Sequence, residues 1–323
     1  EAGGLPTRNF LLGRFEGAEK VSGERAHAII TERGGKPTHG CHSGCTIRCS
    51  GVFVDKDGHY VTKEPEYETV WANGPNCGID DLDAIAQMDR LYDDIGLDTI
   101  ECGAAIAVAM EGGVLPFGDA EGAIKLIKEV GDGTPRGRVI GSGALVTGKV
   151  FGVKRIPVVK GQAMPAYDPR AVKGMGVTYA TSTMGADHTA GYATGANILG
   201  VGGKVDPHKI EGQVDLSRGL QIATAALDST GLCLFVAFPV LDDPTALVSI
   251  CEMISAKYGK TFTTDDFIEY GKKVLRAERD FNARAGIGKE HDRLPEFFAL
   301  EPVPPHNVVF DVPDAELDQV FNF

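Results

Sequence analysis

Three cysteines fall within one short run, Cys41-His42-Ser43-Gly44-Cys45-Thr46-Ile47-Arg48-Cys49. Thiolates are soft ligands, and three so closely spaced can wrap one face of an iron–sulfur cluster or of a zinc ion. Ser43 and Gly44 suit a loop better than a helix, which weakens the plainer reading of a helical face lined by structural thiols. The spacing Cys-x3-Cys-x3-Cys is neither the Cys-x3-Cys-x2-Cys run of radical enzymes nor the paired Cys-x2-Cys of a zinc ribbon. A fourth ligand has to come from elsewhere in the chain.

The second constellation is a pair of similar hexapeptides, Asp93-Asp94-Ile95-Gly96-Leu97-Asp98 and Asp228-Ser229-Thr230-Gly231-Leu232-Cys233. Each follows an amphipathic pattern, with Asp three residues before a glycine that can take the positive φ of a helix stop. Such a turn presents the aspartate's acceptor oxygens to a ligand edge rich in N–H donors, such as the amino-pyrimidinone of a pterin. One Asp-x-x-Gly-Leu is an ordinary helix end. Two copies, one carrying a cysteine in register, are less ordinary.

The elements that must position these groups are mostly helical. Periodicity predicts helices over Gly23–Ile30, Asp80–Ile95, a more buried Leu97–Met110, and Ala120–Val130 capped by Asp119. A strand pair is predicted at Gly51–Val54 and His59–Thr62, joined at Asp57-Gly58. Leu216, Leu220, Ala223 and Leu227 mark a helix running to Gly231, and Phe267 to Phe281 a long one signalled by Thr263 and Asp266 and stopped at Gly286. Glycine-rich 161–203, with Met164, Tyr167, Tyr179, Met184 and Tyr192 interleaved, suits backbone that must approach something closely. The tail from Glu301 to Pro313 is expected to run extended over the surface. The fold class expected is therefore mainly α: helical domains 1–160 and 161–323, with a few short strands near the N-terminus.

Composition bounds what such a chain can serve. At 323 residues, 43% hydrophobic and 24% charged, it can bury a real core. A net charge of -13 offers no electrostatic footprint for nucleic acid or anionic lipid. No long apolar run or signal peptide is evident, so no membrane span is expected. Seven cysteines, an odd number, fit reduced thiols in a cytoplasmic setting better than a disulfide framework.

These motifs resemble the C-terminal two domains of the aldehyde ferredoxin oxidoreductase family, the tungsten-pterin enzymes. The likeness runs through Leu5-Pro-Thr-Arg-Asn-Phe10, Phe15-Glu-Gly-Ala-Glu-Lys20, Pro65-Glu-Tyr-Glu-Thr69, Gly78-Ile-Asp-Asp-Leu-Asp83 and Gly96-Leu-Asp-Thr99. It continues in Ala166-Tyr-Asp-Pro-Arg170, Lys173-Gly-Met-Gly176, Tyr179-Ala-Thr-Ser182, Gly185-Ala-Asp-His188 and the Asp228-to-Cys233 motif. The resemblance implies that Cys41, Cys45, Cys49 and Cys233 ligate a 4Fe–4S cluster. It implies that Asp93, Leu97 and Asp98 hold one pterin, and Asp228, Leu232 and Leu234 the other, of a tungsten (or molybdenum) bis-pterin. Glu68 and His188 match the family's acid and imidazole beside the metal. The implied reaction oxidises an aldehyde to a carboxylic acid, with electrons leaving through the cluster to ferredoxin or a similar carrier.

Departures from the family pattern are local. The first two cysteines stand one residue further apart than in well-known members, Met184 and Ala190 replace basic residues that hold pterin phosphates, and Gln87 replaces a carboxylate of an intersubunit metal site. Members also begin with a β-rich pterin-base domain that does not precede Glu1 here. The expectation is thus a fragment that folds yet holds no tungstopterin alone, because part of the cofactor's walls is missing. Two other functions remain open: a related tungstopterin enzyme acting on another substrate, such as an aromatic acyl thioester, and an iron–sulfur electron-transfer protein without pterin. A structural zinc protein is the weaker third.

Overall fold

A computed structural model describes residues 2–323, of which contact patterns make two units. One comprises Gly3–Ala166 with Val303–Asn307, the other Tyr167–Pro302 with Val308–Phe323.

The first unit opens with α1 (Gly23–Glu32), whose N-cap Ser22 accepts a hydrogen bond from the Arg25 amide. Three antiparallel strands follow in the order β1 (Lys36–His39), β2 (Ser50–Val54) and β3 (Tyr60–Lys63), with Phe53 opposite Thr62. After α2 (Tyr67–Asn73), the amphipathic α3 (Leu82–Ile95) buries Leu82, Ile85, Met88 and Tyr92 in the core. Asp81 caps its start, and Gly96, at φ 82°, ends it. Next, α4 (Thr99–Glu111) is buried on all sides from Cys102 to Met110. Its alanines let neighbours come close: a Cβ on Gly103 would stand 2.8 Å from that of Ala72 on α2. The unit is completed by α5 (Ala120–Asp132), α6 (Pro135–Ile140), α7 (Gly143–Phe151) and the small hairpin β4 (Val158–Val159) and β5 (Gln162–Ala163).

The second unit contains α8 (Lys173–Thr181), α9 (Gln213–Asp228), α10 (Ala237–Asp242), α11 (Pro244–Tyr258), α12 (Thr264–Arg284) and the short α13 (Phe297–Leu300) and α14 (Asp314–Leu317). Packed against both α8 and α12, α9 is its centre. On its α8 side the seam is polar: Thr178 and Ser217 share a hydroxyl bond of 2.7 Å, and Gln221 Nε2 donates to Thr181 Oγ1 at 2.9 Å. On its α12 side the backbones touch. A Cβ on Gly271 would lie 2.1 Å from the Ile222 carbonyl oxygen.

The chain is mainly α, as expected; helices cover 52% of it. Several elements escaped the sequence reading, namely the helices α2, α6, α7, α8, α10, α11, α13 and α14 and the strands β1, β4 and β5. The tail departs from its expected surface course: within Glu301–Pro313, Val303, Phe310 and Val312 are buried, so its apolar residues outweigh its prolines. Among the described residues no helix is long and apolar enough to cross a membrane.

Gly271→Ala is expected to destabilise the second unit by about 1–3 kcal/mol through overpacking against α9. Gly219→Ala, on an α9 position with nothing within 4 Å, should instead stabilise it by about 0.4–1 kcal/mol. Denaturant unfolding of the two variants checks both signs; equal effects would contradict the close crossing.

Candidate functional site

The first hexapeptide is a helix stop fused to a helix start. Gly96 and Leu97 both donate backbone hydrogen bonds to the Tyr92 carbonyl, at 2.8 and 2.9 Å, which closes α3. One residue on, Asp98 N-caps α4, its carboxylate accepting from the Glu101 amide at 2.6 Å. Asp93, on the last turn of α3, is half exposed and accepts from Lys63 Nζ at 3.1 Å. The same ammonium meets the buried carboxylate of Asp89, also at 3.1 Å. Leu97 packs at the edge of the core.

The second hexapeptide ends α9 one turn more loosely. The helix stops at Asp228 and the chain turns through Ser229 and Thr230 to Gly231, at φ 78°. Thr230 donates its hydroxyl to the Leu227 carbonyl (2.6 Å) and accepts from the Leu232 amide (3.2 Å), which stiffens the turn. Cys233 then heads a 3-10 turn, Leu234–Val236. Among the described residues no lysine balances Asp228: desolvation, with Asp187 and Glu278 beside it, raises its pKa above the ordinary 3.8.

Cysteine burial divides the seven thiols. Cys77, Cys102 and Cys251 are buried, and burial pushes their thiols up, Cys102 to about 12. Inert, protonated thiols of this kind make poor ligands. Cys41, Cys49 and Cys233 are exposed and Cys45 partly so. In the first unit, Cys41, Cys45 and Cys49 sit on the helix-free loop between β1 and β2. That loop borders an open cleft of about 620 Å³ lined by Thr38, His39, His42, Cys45 and Arg48. Among the described residues, the grouping of three candidate ligand atoms within 4.8 Å is Asp55, Asp57 and His59, not the three thiols. A tetrahedral zinc needs sulfurs at single-ion spacing, whereas a polynuclear cluster takes one thiolate per iron. The donor chemistry and the loop therefore fit a cluster better than a zinc ion.

Glu68 and His188 lie on different units and are held differently. Glu68, in the first turn of α2, is buried, and its Oε2 accepts from the Ala166 amide at 2.8 Å. His188 is mostly buried, with Nδ1 3.7 Å from Asp187 Oδ1. Burial lowers its pKa, against the opposing pull of Asp187, so the imidazole is neutral at pH 7. Two tyrosines frame the ring: the centroids of Tyr167 and Tyr192 lie 6.5 and 6.1 Å from it, and their hydroxyls share a 2.5 Å hydrogen bond.

Neither tyrosine was assigned a role from sequence. The structure marks one of them in its backbone, since Tyr167 sits at φ 68°, a region non-glycine residues rarely occupy. Beside it, the buried Asp168 and Arg170 form a two-pronged pair at 2.6 and 2.9 Å, and the guanidinium stacks over Phe298. That clamp holds the strained residue in place.

Comparison with known proteins bears on these arrangements. The family model described as "Aldehyde ferredoxin oxidoreductase, domains 2 & 3" matches residues 1–322. The chain is 36% identical over 324 residues to the tungsten-containing aldehyde ferredoxin oxidoreductase of Pyrococcus horikoshii, covering 94% of this chain and 51% of that protein. The enzyme of the same description from Pyrococcus furiosus is 34% identical over 321 residues, with the same coverage of 94% and 51%. A more distant relative is the WOR-like subunit of an aliphatic sulfonate oxidoreductase from Pyrococcus furiosus, 25% identical over 304 residues, 84% of this chain and 44% of that one. The chain spans about half the length of the curated relatives it matches.

A carboxylate whose folded pKa is raised costs stability above that pKa and ceases to do so as pH falls to its unfolded value. Asp228→Asn is accordingly expected to raise stability at pH 7 by about 0.3–1 kcal/mol, the scale of an acid at a helix C-terminus. The gain should shrink as pH falls toward 3.8. Thermal melts across that range check it; a loss of stability at pH 7 would contradict the crowding of Asp228 by Asp187 and Glu278.

Proposed function

Since this chain belongs to the aldehyde ferredoxin oxidoreductase family, we propose that it carries the cofactor-holding helical part of an oxidoreductase that converts aldehydes to carboxylic acids. Its electrons leave through a 4Fe–4S cluster to ferredoxin or a similar carrier. The observation that supports this best is the division of the cysteines: the four non-buried thiols are the motif-borne Cys41, Cys45, Cys49 and Cys233, and the other three are sealed in protein.

In this reading Cys41, Cys45, Cys49 and Cys233 ligate the cluster. Asp93 and Asp98 accept N–H donors of one pterin, with Leu97 against it; Asp228 does so for the second, with Leu232 and Leu234. The tungsten (or molybdenum) bis-pterin supplies two-electron chemistry when bound, and the cluster a one-electron exit.

The chain's own groups do the rest. The Ala166 amide orients the Glu68 carboxylate, which is then placed to take a proton from attacking water. His188, neutral because it is buried, can accept a proton or donate one at a ring nitrogen. The Tyr167–Tyr192 pair fixes the plane of that ring. Asp93 can turn to a ligand without stranding Asp89, because Lys63 serves both.

A second reading keeps the cofactors and changes the substrate. The likeness to the WOR-like subunit favours it. Aldehyde-dependent reduction of a viologen dye by the full-length enzyme separates the two.

The cluster assignment is tested on the chain itself by anaerobic reconstitution with iron and sulfide. About four irons per chain are expected. Cys233→Ala should lower iron content sharply and leave helicity unchanged. Unchanged iron in that variant, or uptake of zinc alone, would refute the ligand set.

A further inference from the structure

Between the C-terminal end of α9, α11 and the start of α12, the second unit has a pocket of about 540 Å³. That volume lies within the usual range of about 300–1,000 Å³ for small-molecule sites. Ile250, Phe262 and Phe267 line it and belong to the unit's apolar cluster. Met253, 57% exposed, is on its wall.

Two lysines also line the pocket. Lys257 lies in the last turn of α11, and Lys260 just beyond Gly259, whose φ of 64° ends that helix. Favourable interaction with the helix end accounts for a lysine at 257 but not for one past the stop. Among the described residues the ammonium group of neither lysine forms an ion pair or hydrogen bond. Asp266, at the start of α12, is committed to the capping box with Thr263. In a chain of net charge -13, two unmatched cations at one apolar pocket form a local exception. No arginine lines the pocket, so the planar fork that grips phosphate is missing.

We propose that this pocket binds an amphipathic monocarboxylate, aliphatic or aromatic, with its tail against Ile250, Phe262 and Phe267 and its head held by Lys257 and Lys260. Of the residues read above as holding cofactors the site shares only Leu232, and it requires no metal, so its test is independent of the redox reading. It is nevertheless coupled to them by covalent neighbours. Thr230 and Leu232 line the pocket, and they form the turn that delivers Cys233. A bound tail covers Leu232 and restrains that turn.

The test uses the 323-residue chain labelled with ¹³C at its methionine methyls, with octanoate as probe and octanol as the uncharged analogue. Octanoate is expected to shift the Met253 methyl and leave that of Met184, exposed but outside the pocket, unmoved. Amide exchange from Gly231 to Val236 should slow on binding. Lys257→Gln with Lys260→Gln, both exposed and outside the core, should weaken octanoate about tenfold and leave octanol unchanged. An unmoved Met253 methyl, equal affinity for octanoate and octanol, or undiminished octanoate binding by the folded double variant would each overturn the proposal.

Discussion

The ammonium of Lys63 is shared by two carboxylates on successive turns of α3, and the placing of the first hexapeptide descends from that sharing. Asp89 is fully buried; a carboxylate there costs several kcal/mol unless it is paired and hydrogen-bonded. Lys63 supplies the pairing and the Thr62 hydroxyl, at 2.6 Å, the hydrogen bond. Both donors come from β3, so the strand is fixed on the helix. The end of α3, and with it Asp93 and the start of α4, is thereby fixed relative to the hairpin. A mobile hairpin would leave a buried anion without its cation.

The second unit handles the matching aspartate in the opposite way. Asp228 faces Asp187 and Glu278, and the region's hydroxyls and amides are used to brace loops: Thr183 donates to Glu278, and Thr189 to Asp187. Uncompensated acids of this kind are a stability cost and are characteristic of sites whose partner is a ligand. Two hexapeptides alike in sequence therefore differ in electrostatics: the aspartate of one is paired with a lysine, and that of the other is crowded by acids.

Much of this was legible because the deciding signals are local. α3 announces itself by period, by Asp81 and by Gly96; α12 by the Thr263–Asp266 capping box; β2 and β3 by the Asp57-Gly58 turn. The thiol trio and the paired hexapeptides were equally visible. What stayed hidden was set by tertiary contact. α8 contains Gly174 and Gly176, poor helix formers, yet added Cβ atoms would strike Asn197 at 2.5 Å and the Phe310 ring at 2.4 Å. The close approach suggested for residues 161–203 is thus, at these positions, an approach to the chain's own side chains. The tail misled for a related reason: four prolines suggest an exposed strap, but Val303, Phe310 and Val312 find apolar cover. Tyr167 and Tyr192 gave no compositional signal because their pairing exists only in three dimensions.

The bare crossing of α12 over α9 has a consequence for how this architecture can diversify. With Gly271 pressed against the Ile222 carbonyl, neither helix can slide or rotate past the other without a collision between main chains. The axis that ends at Asp228 is therefore frozen in register, much as a keyed shaft is frozen in its collar. Sequence change can accumulate in the connections that leave the crossing, while the crossing itself tolerates little revision.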